Sequence, residues 1–198
     1  MSSKALVLVV VQGAPAVGKT TLVERLRAHY KIGVVAKDAL KELLYDTVGF
    51  PADREQSRVY GSAAMHGLYA ISRQLLEAGI SHILESAYKP ELANRDIATL
   101  TNGLPVTVVQ LYCYTTPETQ LQRYNTRLQN NSRHPGHPDS PRKVAHDFTV
   151  YASEYAPLDI AHTIRVDTTQ FGDSEFASLC QTLETATGGS LHGIKTTN

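Results

Sequence analysis

Gly13-Ala14-Pro15-Ala16-Val17-Gly18-Lys19-Thr20, followed by Thr21, is the stretch whose reading decides the fold. Its pattern, G-x-x-x-x-G-K-[ST], gives each fixed position a task. The two glycines let the backbone turn tightly enough for successive N–H groups to converge on an anion, and Lys19 brings a point charge to the same place. The Thr20 hydroxyl is suited to Mg2+. Before the loop, residues 5–11 form a continuous valine-rich run, as expected of a strand covered on both faces of a parallel sheet. After it, Leu22, Val23, Leu26 and Tyr30 recur at helical spacing, with Glu24, Arg25 and Arg27 between them. A loop between strand and helix delivers an anion to a helix N-terminus, where unpartnered N–H groups and the macrodipole favour negative charge. Residues Gly13 to Thr21 are therefore expected to hold the phosphates of a nucleoside triphosphate. Lys4, the apolar run and Ala14-Pro15-Ala16 also imitate a signal peptide, but that run is at the short limit for one and the loop accounts for the same residues better.

Bulk properties set the frame around the loop. A chain of 198 residues suits one domain, expected over 1–186, with a lid around 123–142 and a flexible tail over 187–198. Hydrophobic residues make up 42% and charged residues 19%, which is globular rather than disordered composition. Nineteen basic residues balance nineteen acidic ones, so the chain lacks the electrostatic footprint of a protein that wraps duplex nucleic acid. Cys113 and Cys180 are too few for a disulfide framework, and Cys113 sits inside an apolar run. No apolar stretch approaches bilayer-spanning length, so the expected location is cytoplasmic and no membrane partner is expected.

Four further apolar segments read as strands, at 32–36, 80–86, 106–114 and 162–166. Helical patterns separate them at 39–45, 54–78, 91–101, 117–129, 142–153 and 174–185. Strands alternating with helices predict an α/β fold, a five-stranded parallel sheet with helices on both faces. With the phosphate loop after the first strand, this suits a P-loop kinase core, for which the expected strand order is 2-3-1-4-5. Residues 130–142 are rich in Pro, Arg, His and Asn without apolar periodicity, so they are expected to form a mobile loop.

Phosphoryl transfer also requires an oriented acceptor and stabilised charge on the moving group. Asp38 follows the second strand directly, and ligands of open α/β sheets sit beyond the carboxyl ends of strands. It is expected to accept the acceptor proton, although an aspartate there also suits a helix N-cap. Lys41, Glu42 and Tyr45 follow at helical spacing, and that face is expected to line the acceptor pocket. Glu85 ends the run at 80–86, where a carboxylate suits either a Mg2+–water ligand or a clamp on an acceptor hydroxyl. Tyr88 and Lys89, just beyond it, are expected in the substrate pocket together with 54–78. Arg123 and Arg127 lie four apart on one helix, and Arg133 begins the loop after it. Arginines bind phosphate oxygens in pairs, so these three are expected to close over the γ-phosphate. His134 and His137 flank Pro135-Gly136. No cysteine or further histidine completes a tetrahedral metal set there, and they are expected to contact phosphate or sugar.

Taken together, Gly13–Thr20, Lys37-Asp38-Ala39-Leu40-Lys41-Glu42, Ile83-Leu84-Glu85-Ser86 and the segment from Arg123 through Arg133-His134-Pro135-Gly136-His137 resemble the AAA-type ATP-binding family of small kinases. That family's relatives include zeta-toxin-type kinases and chloramphenicol phosphotransferase. The matching pieces span most of the chain in the family's order. The resemblance implies ATP and Mg2+ as cofactors, Asp38 as catalytic base, Thr20 as a Mg2+ ligand, and Arg123, Arg127 and Arg133 as the lid. It also implies that Asp167 and Thr168, after the last strand, lie near the adenine.

The expected activity is ATP-dependent phosphoryl transfer to a hydroxyl of a small molecule such as a sugar, nucleoside or antibiotic. A polynucleotide 5′-hydroxyl kinase uses the same core, but the neutral charge and absence of tryptophan argue against a groove for single strands. A non-enzymatic nucleotide switch is the third reading. The sequence lacks the Asn-Lys-x-Asp element that usually accompanies guanine specificity, and its one D-x-x-G, at Asp46-Thr47-Val48-Gly49, follows a helix.

Overall fold

The computed structural model describes residues 5–130, 134–137, 148 and 152–191. Its strands are β1 (Leu6–Gln12), β2 (Gly33–Ala36), β3 (His82–Glu85), β4 (Val106–Tyr114) and β5 (His162–Asp167). They form one sheet in the order β2-β3-β1-β4-β5, with every pairing parallel. The helices among the described residues are α1 (Lys19–Tyr30), α2 (Lys37–Val48), α3 (Arg54–Glu77), α4 (Pro90–Thr101), α5 (Pro117–Gln129) and α6 (Asp173–Ala186). The expected five-stranded parallel α/β fold is the one found.

β1 shows why the chain folds this way. Val7, Val9 and Val11 enter one core with Leu22, Val23 and Leu26 of α1 and Leu179 and Leu183 of α6. Leu8 and Val10 enter the other with Leu68 and Leu76 of α3 and Ala93 and Ile97 of α4. Burying an aliphatic side chain is worth about 2 kcal/mol. Five consecutive buried residues therefore outweigh local β preferences that span only about 1 kcal/mol. The register then levels the strand ends, because Val11 of β1 and Ala36 of β2 both pair with Glu85 of β3. The phosphate loop, the start of α2 and Glu85 thus converge at one edge of the sheet.

The observed bounds depart from the sequence expectations mostly at element ends. α2 begins two residues early, at Lys37, with extended Ala36 as its N-cap. Asp38 is accordingly inside the first helical turn, where the macrodipole favours a carboxylate, and is not the cap itself. The expected tail packs over its described part, since Thr187 and Leu191 are buried and Leu191 joins the first core. An apolar side chain that reaches a core costs less buried than solvated. Arg133 and residues 192–198 lie outside the described residues, as does the helix expected over 142–153 apart from 148, 152 and 153.

Candidate nucleotide and acceptor cleft

The phosphate loop is strained in the manner its task requires. Gly13 has φ +148° and a Cβ there would lie 2.3 Å from the carbonyl oxygen of Cys113, so only glycine fits. Gly18 caps α1 in the left-handed region at φ +93°, and Ala16 is held at φ +64°. An alanine held in the left-handed region costs on the order of 1 kcal/mol, which the surrounding fold must offset. Lys19 is buried, and its Nζ donates to the carbonyls of Gly13 and Ala14, each at 2.9 Å. Burial pushes its pKa down, while the carboxylates of Glu85 and Asp38 pull it back up. A buried ammonium resting on two carbonyl dipoles suits a loop built to receive an anion.

Around this loop opens a cleft of about 930 Å³. Pro15, Ala16, Gly18, Lys19, Thr20 and Thr21 line one end, while Gly13, Ala14 and Val17 lie beneath and shape the turn. Lys37, Asp38, Glu42, Glu85, Arg127 and His134 also line the cleft. Glu85 is 8% exposed, and desolvation raises its pKa against the opposing pull of Lys19. Among the described residues no group of three or more histidines, cysteines or carboxylates forms a metal cluster. For Mg2+ the donor chemistry fits instead at Thr20, with its exposed hydroxyl, and at Glu85, both on the cleft wall.

The arginines divide. Arg123 donates through Nη1 to Thr168 Oγ1 at 3.1 Å and through Nη2 to the Thr168 carbonyl at 2.5 Å. The Thr168 hydroxyl in turn reaches the Val17 carbonyl at 2.5 Å. Arg123, which also lines the cleft, therefore ties α5 to the phosphate loop through the chain after β5. Arg127, one turn on, lines the cleft with its guanidinium 5.6 Å from the Tyr124 ring centroid, near enough to Lys19 to disfavour a second positive charge.

Six expected site residues lie elsewhere, among them Tyr45, which is buried, and Lys89, which pairs with Glu154. Lys41 Nζ donates to Ser57 Oγ at 3.1 Å and sits 5.5 Å from the Tyr45 ring centroid, between α2 and α3. Helical geometry explains this, since four residues from Asp38 come back to nearly the same direction and bring Glu42 to the cleft, whereas three fall short of it. Tyr88 is buried in the second core, and its N–H donates to Gln12 Oε1 at 3.1 Å. Asp167 is exposed, and its carboxylate accepts the N–H of Thr169 at 2.9 Å. His137 lies outside the cleft, its Nε2 3.0 Å from Glu42 Oε1. His134 does line the cleft, and it also stacks on Tyr45 with ring centroids 5.6 Å apart and bonds Asp46 at 3.0 Å, so this segment seats on α2. Sequence reasoning missed Tyr155, which lines the cleft, and Gln12, whose buried amide donates to the Tyr155 carbonyl. The position of Gln12 directly before the loop was the available signal, and Tyr155 carried none.

The sequence matches the family model described as "AAA domain" (AAA_33) over residues 8–147. The chain belongs to this family. Its structure is similar to the crystal structure of a candidate kinase from Chloroflexus aurantiacus j-10-fl, with 30% identity, a TM-score of 0.82, and 92% of this chain and 98% of that one covered. Two more distant structures share the fold. One is Kti12 from Chaetomium thermophilum in complex with ADP-AlF3, with 17% identity, a TM-score of 0.65 and coverage of 90% and 98%. The other is a sugar kinase from Janibacter sp. HTCC2649, with 15% identity, a TM-score of 0.58 and coverage of 95% and 99%. No curated protein matches the sequence. As a P-loop small-kinase family member, the chain has a nucleotide-binding fold consistent with ATP-dependent phosphotransfer. No helix among the described residues is long and apolar enough to cross a membrane.

Proposed function

We propose that the protein is an ATP-dependent phosphotransferase that moves the γ-phosphoryl group of ATP to a hydroxyl of a small molecule. One observation carries this reading: buried Lys19 lines the same cleft as the carboxylates of Asp38 and Glu85, and that cleft is large enough for two substrates. A binding module would need the phosphate loop alone. The two carboxylates supply what a transferase needs beyond it.

In this reading the loop N–H groups and Lys19 hold the triphosphate, and Gly18 and Thr168, braced by Arg123, keep the loop in shape. Mg2+, for which Thr20 and Glu85 are the candidate holders, neutralises charge on the transferring phosphates when bound. Asp38 orients the acceptor hydroxyl and takes its proton as the bond to phosphorus forms. Arg127 stabilises charge on the moving group, and the lid seated on α2 excludes water that would otherwise consume ATP. Catalysis here is mainly positioning and electrostatics.

An ATP-consumption screen over sugars, nucleosides, aminoglycosides and an oligonucleotide tests the activity and identifies the acceptor. Asp38→Asn is expected to lower kcat by roughly a hundredfold to ten-thousandfold, the usual contribution of a positioned base, with ATP affinity changed less than about twofold. Near-normal turnover by that variant overturns the assignment of the base. Salt-sensitive use of the oligonucleotide in place of every small molecule overturns the small-molecule acceptor.

A further inference from the structure

Gln12 and Gln110 are both fully buried, on β1 and β4, and both spend their amides on the same strap of chain between the lid and β5. Gln12 Nε2 donates to the Tyr155 carbonyl at 3.2 Å and to the Ala156 carbonyl, while its Oε1 takes the Tyr88 N–H. Gln110 Oε1 accepts the Leu158 N–H at 2.8 Å, and its Nε2 donates to the Leu158 carbonyl at 3.2 Å and to Thr163 Oγ1 at 2.8 Å. Two outer contacts complete the seat: Asn94 Oδ1 accepts the Asp159 N–H at 2.9 Å, and Lys89 pairs with Glu154. A buried amide is costly unless each of its groups is bonded, and here they are. The arrangement fixes the strap in one position relative to the phosphate loop, which begins at the next residue after Gln12.

The residue thereby fixed at the cleft is Tyr155. It is half-buried and lines the same cavity as Ser86 and Ala87, the residues that directly follow Glu85, and its ring centroid lies 6.0 Å from Lys89 Nζ. The acceptor end of the cleft thus has two characters. Asp38, Glu42 and Glu85 supply hydrogen-bond acceptors, while Tyr155 and the methyl groups of Ala36, Ala39 and Ala87 supply apolar surface. An acceptor that fits carries hydroxyls along its edge and C–H bonds on its face, which describes a hydroxylated ring. A linear polyol has the hydroxyls without the face.

We propose that Tyr155, positioned by Gln12 and Gln110, is the residue against which the ring face of the acceptor packs, so that the acceptor is a hydroxylated ring compound of the sugar or cyclitol class. The proposal rests on the phosphotransferase reading for its second substrate, but it can be tested separately from that reading.

The chain has no tryptophan, so Tyr155→Trp introduces a sole fluorophore at the wall in question. Its emission is followed with Mg·ADP present while glucose, galactose, myo-inositol and an aminocyclitol are titrated against glycerol and erythritol as linear controls. At least one ring probe is expected to change the emission saturably, and the linear polyols are not. By calorimetry, Tyr155→Ala is expected to weaken that ring probe at least about tenfold, while Tyr155→Phe, which keeps the ring, stays within about threefold of wild type. Mg·ATP affinity is expected to move less than about twofold in all three variants. A merely structural role for Tyr155 would lower both affinities together. The proposal is overturned by equal response to linear and ring probes, by no response to any ring probe, or by indifference of ring binding to Tyr155→Ala. Ring binding that depends on Tyr155 without ATP consumption upholds the proposal and overturns the phosphotransferase reading. Turnover of an acceptor whose KM ignores Tyr155→Ala does the reverse.

Discussion

His82 is fully buried at the start of β3, and its two ring nitrogens have opposite duties. Nδ1 lies 3.1 Å from the Ile80 carbonyl, which can only accept, so Nδ1 carries the hydrogen. Nε2 is then an acceptor for the Ser72 hydroxyl at 2.7 Å. Both bonds belong to the neutral ring, and burial lowers its pKa against the smaller opposing pull of the Ile80 carbonyl. The unfolded chain therefore binds this proton more readily than the folded one at pH below about 6.5. Stability from His82 is complete above that pH and is lost as pH falls from there through the depressed folded value, with a limiting slope of about 1.4 kcal/mol per pH unit. Urea midpoints between pH 8 and pH 5 are expected to fall more steeply for wild type than for His82→Gln, which is less stable at pH 8. Parallel curves would refute the account. This pair sits in the core away from the cleft, so activity measured well below the unfolding transition is not expected to share its pH profile.

At the scale of elements, the seating of residues 134–137 on α2 is the contact that the sequence concealed. β4 and α5 have the bounds the sequence predicts, because a nine-residue apolar run and a Thr-Pro start are local signals. The start of α2 was misjudged since Lys37 and Asp38 add nothing to an apolar period. The pairing of His134 and His137 with residues 42–46 joins segments about ninety positions apart, and no periodicity encodes such a meeting. For the same reason the sequence showed Arg123 and Arg127 on one helix but not the Thr168 that ties one of them down. Gly136 makes the contact possible: a Cβ there would lie 2.4 Å from the Tyr45 ring, which is buried and cannot yield cheaply. Gly136→Ala is expected to push the segment off α2. Amide hydrogen exchange within 134–137 should speed up while β1 and β4 keep wild-type protection, and ATP hydrolysis without acceptor should rise as water gains access. Unchanged exchange in that segment would mean that the contact does not anchor the lid.

The whole molecule explains why the fold was legible and the acceptor was not. Sheet order and double-sided burial follow from β1 and the loop after it, whose glycines, lysine and apolar run are adjacent in sequence. The cleft, by contrast, draws Asp38 from α2, Glu85 from β3, Arg127 from α5 and Tyr155 from the strap, and only the assembled sheet brings them together. A site assembled in this way exists only in the native state, so a ligand that fills it must stabilise the whole fold. At a hundred times its dissociation constant, Mg·ATP adds about 2.7 kcal/mol. For a chain of this length each kcal/mol raises Tm by roughly 2–4 °C, so a shift of about 5–10 °C is expected in differential scanning fluorimetry. Lys19→Met separates the two contributions of that residue. Removing a buried ammonium relieves a desolvation cost, so the nucleotide-free variant is expected to melt at or above the wild-type temperature. Its response to the same Mg·ATP concentration should nevertheless shrink to less than about 2 °C, because the charge that holds the terminal phosphates is gone. A wild-type protein indifferent to Mg·ATP would refute the site, and an undiminished shift in Lys19→Met would refute the part assigned to Lys19.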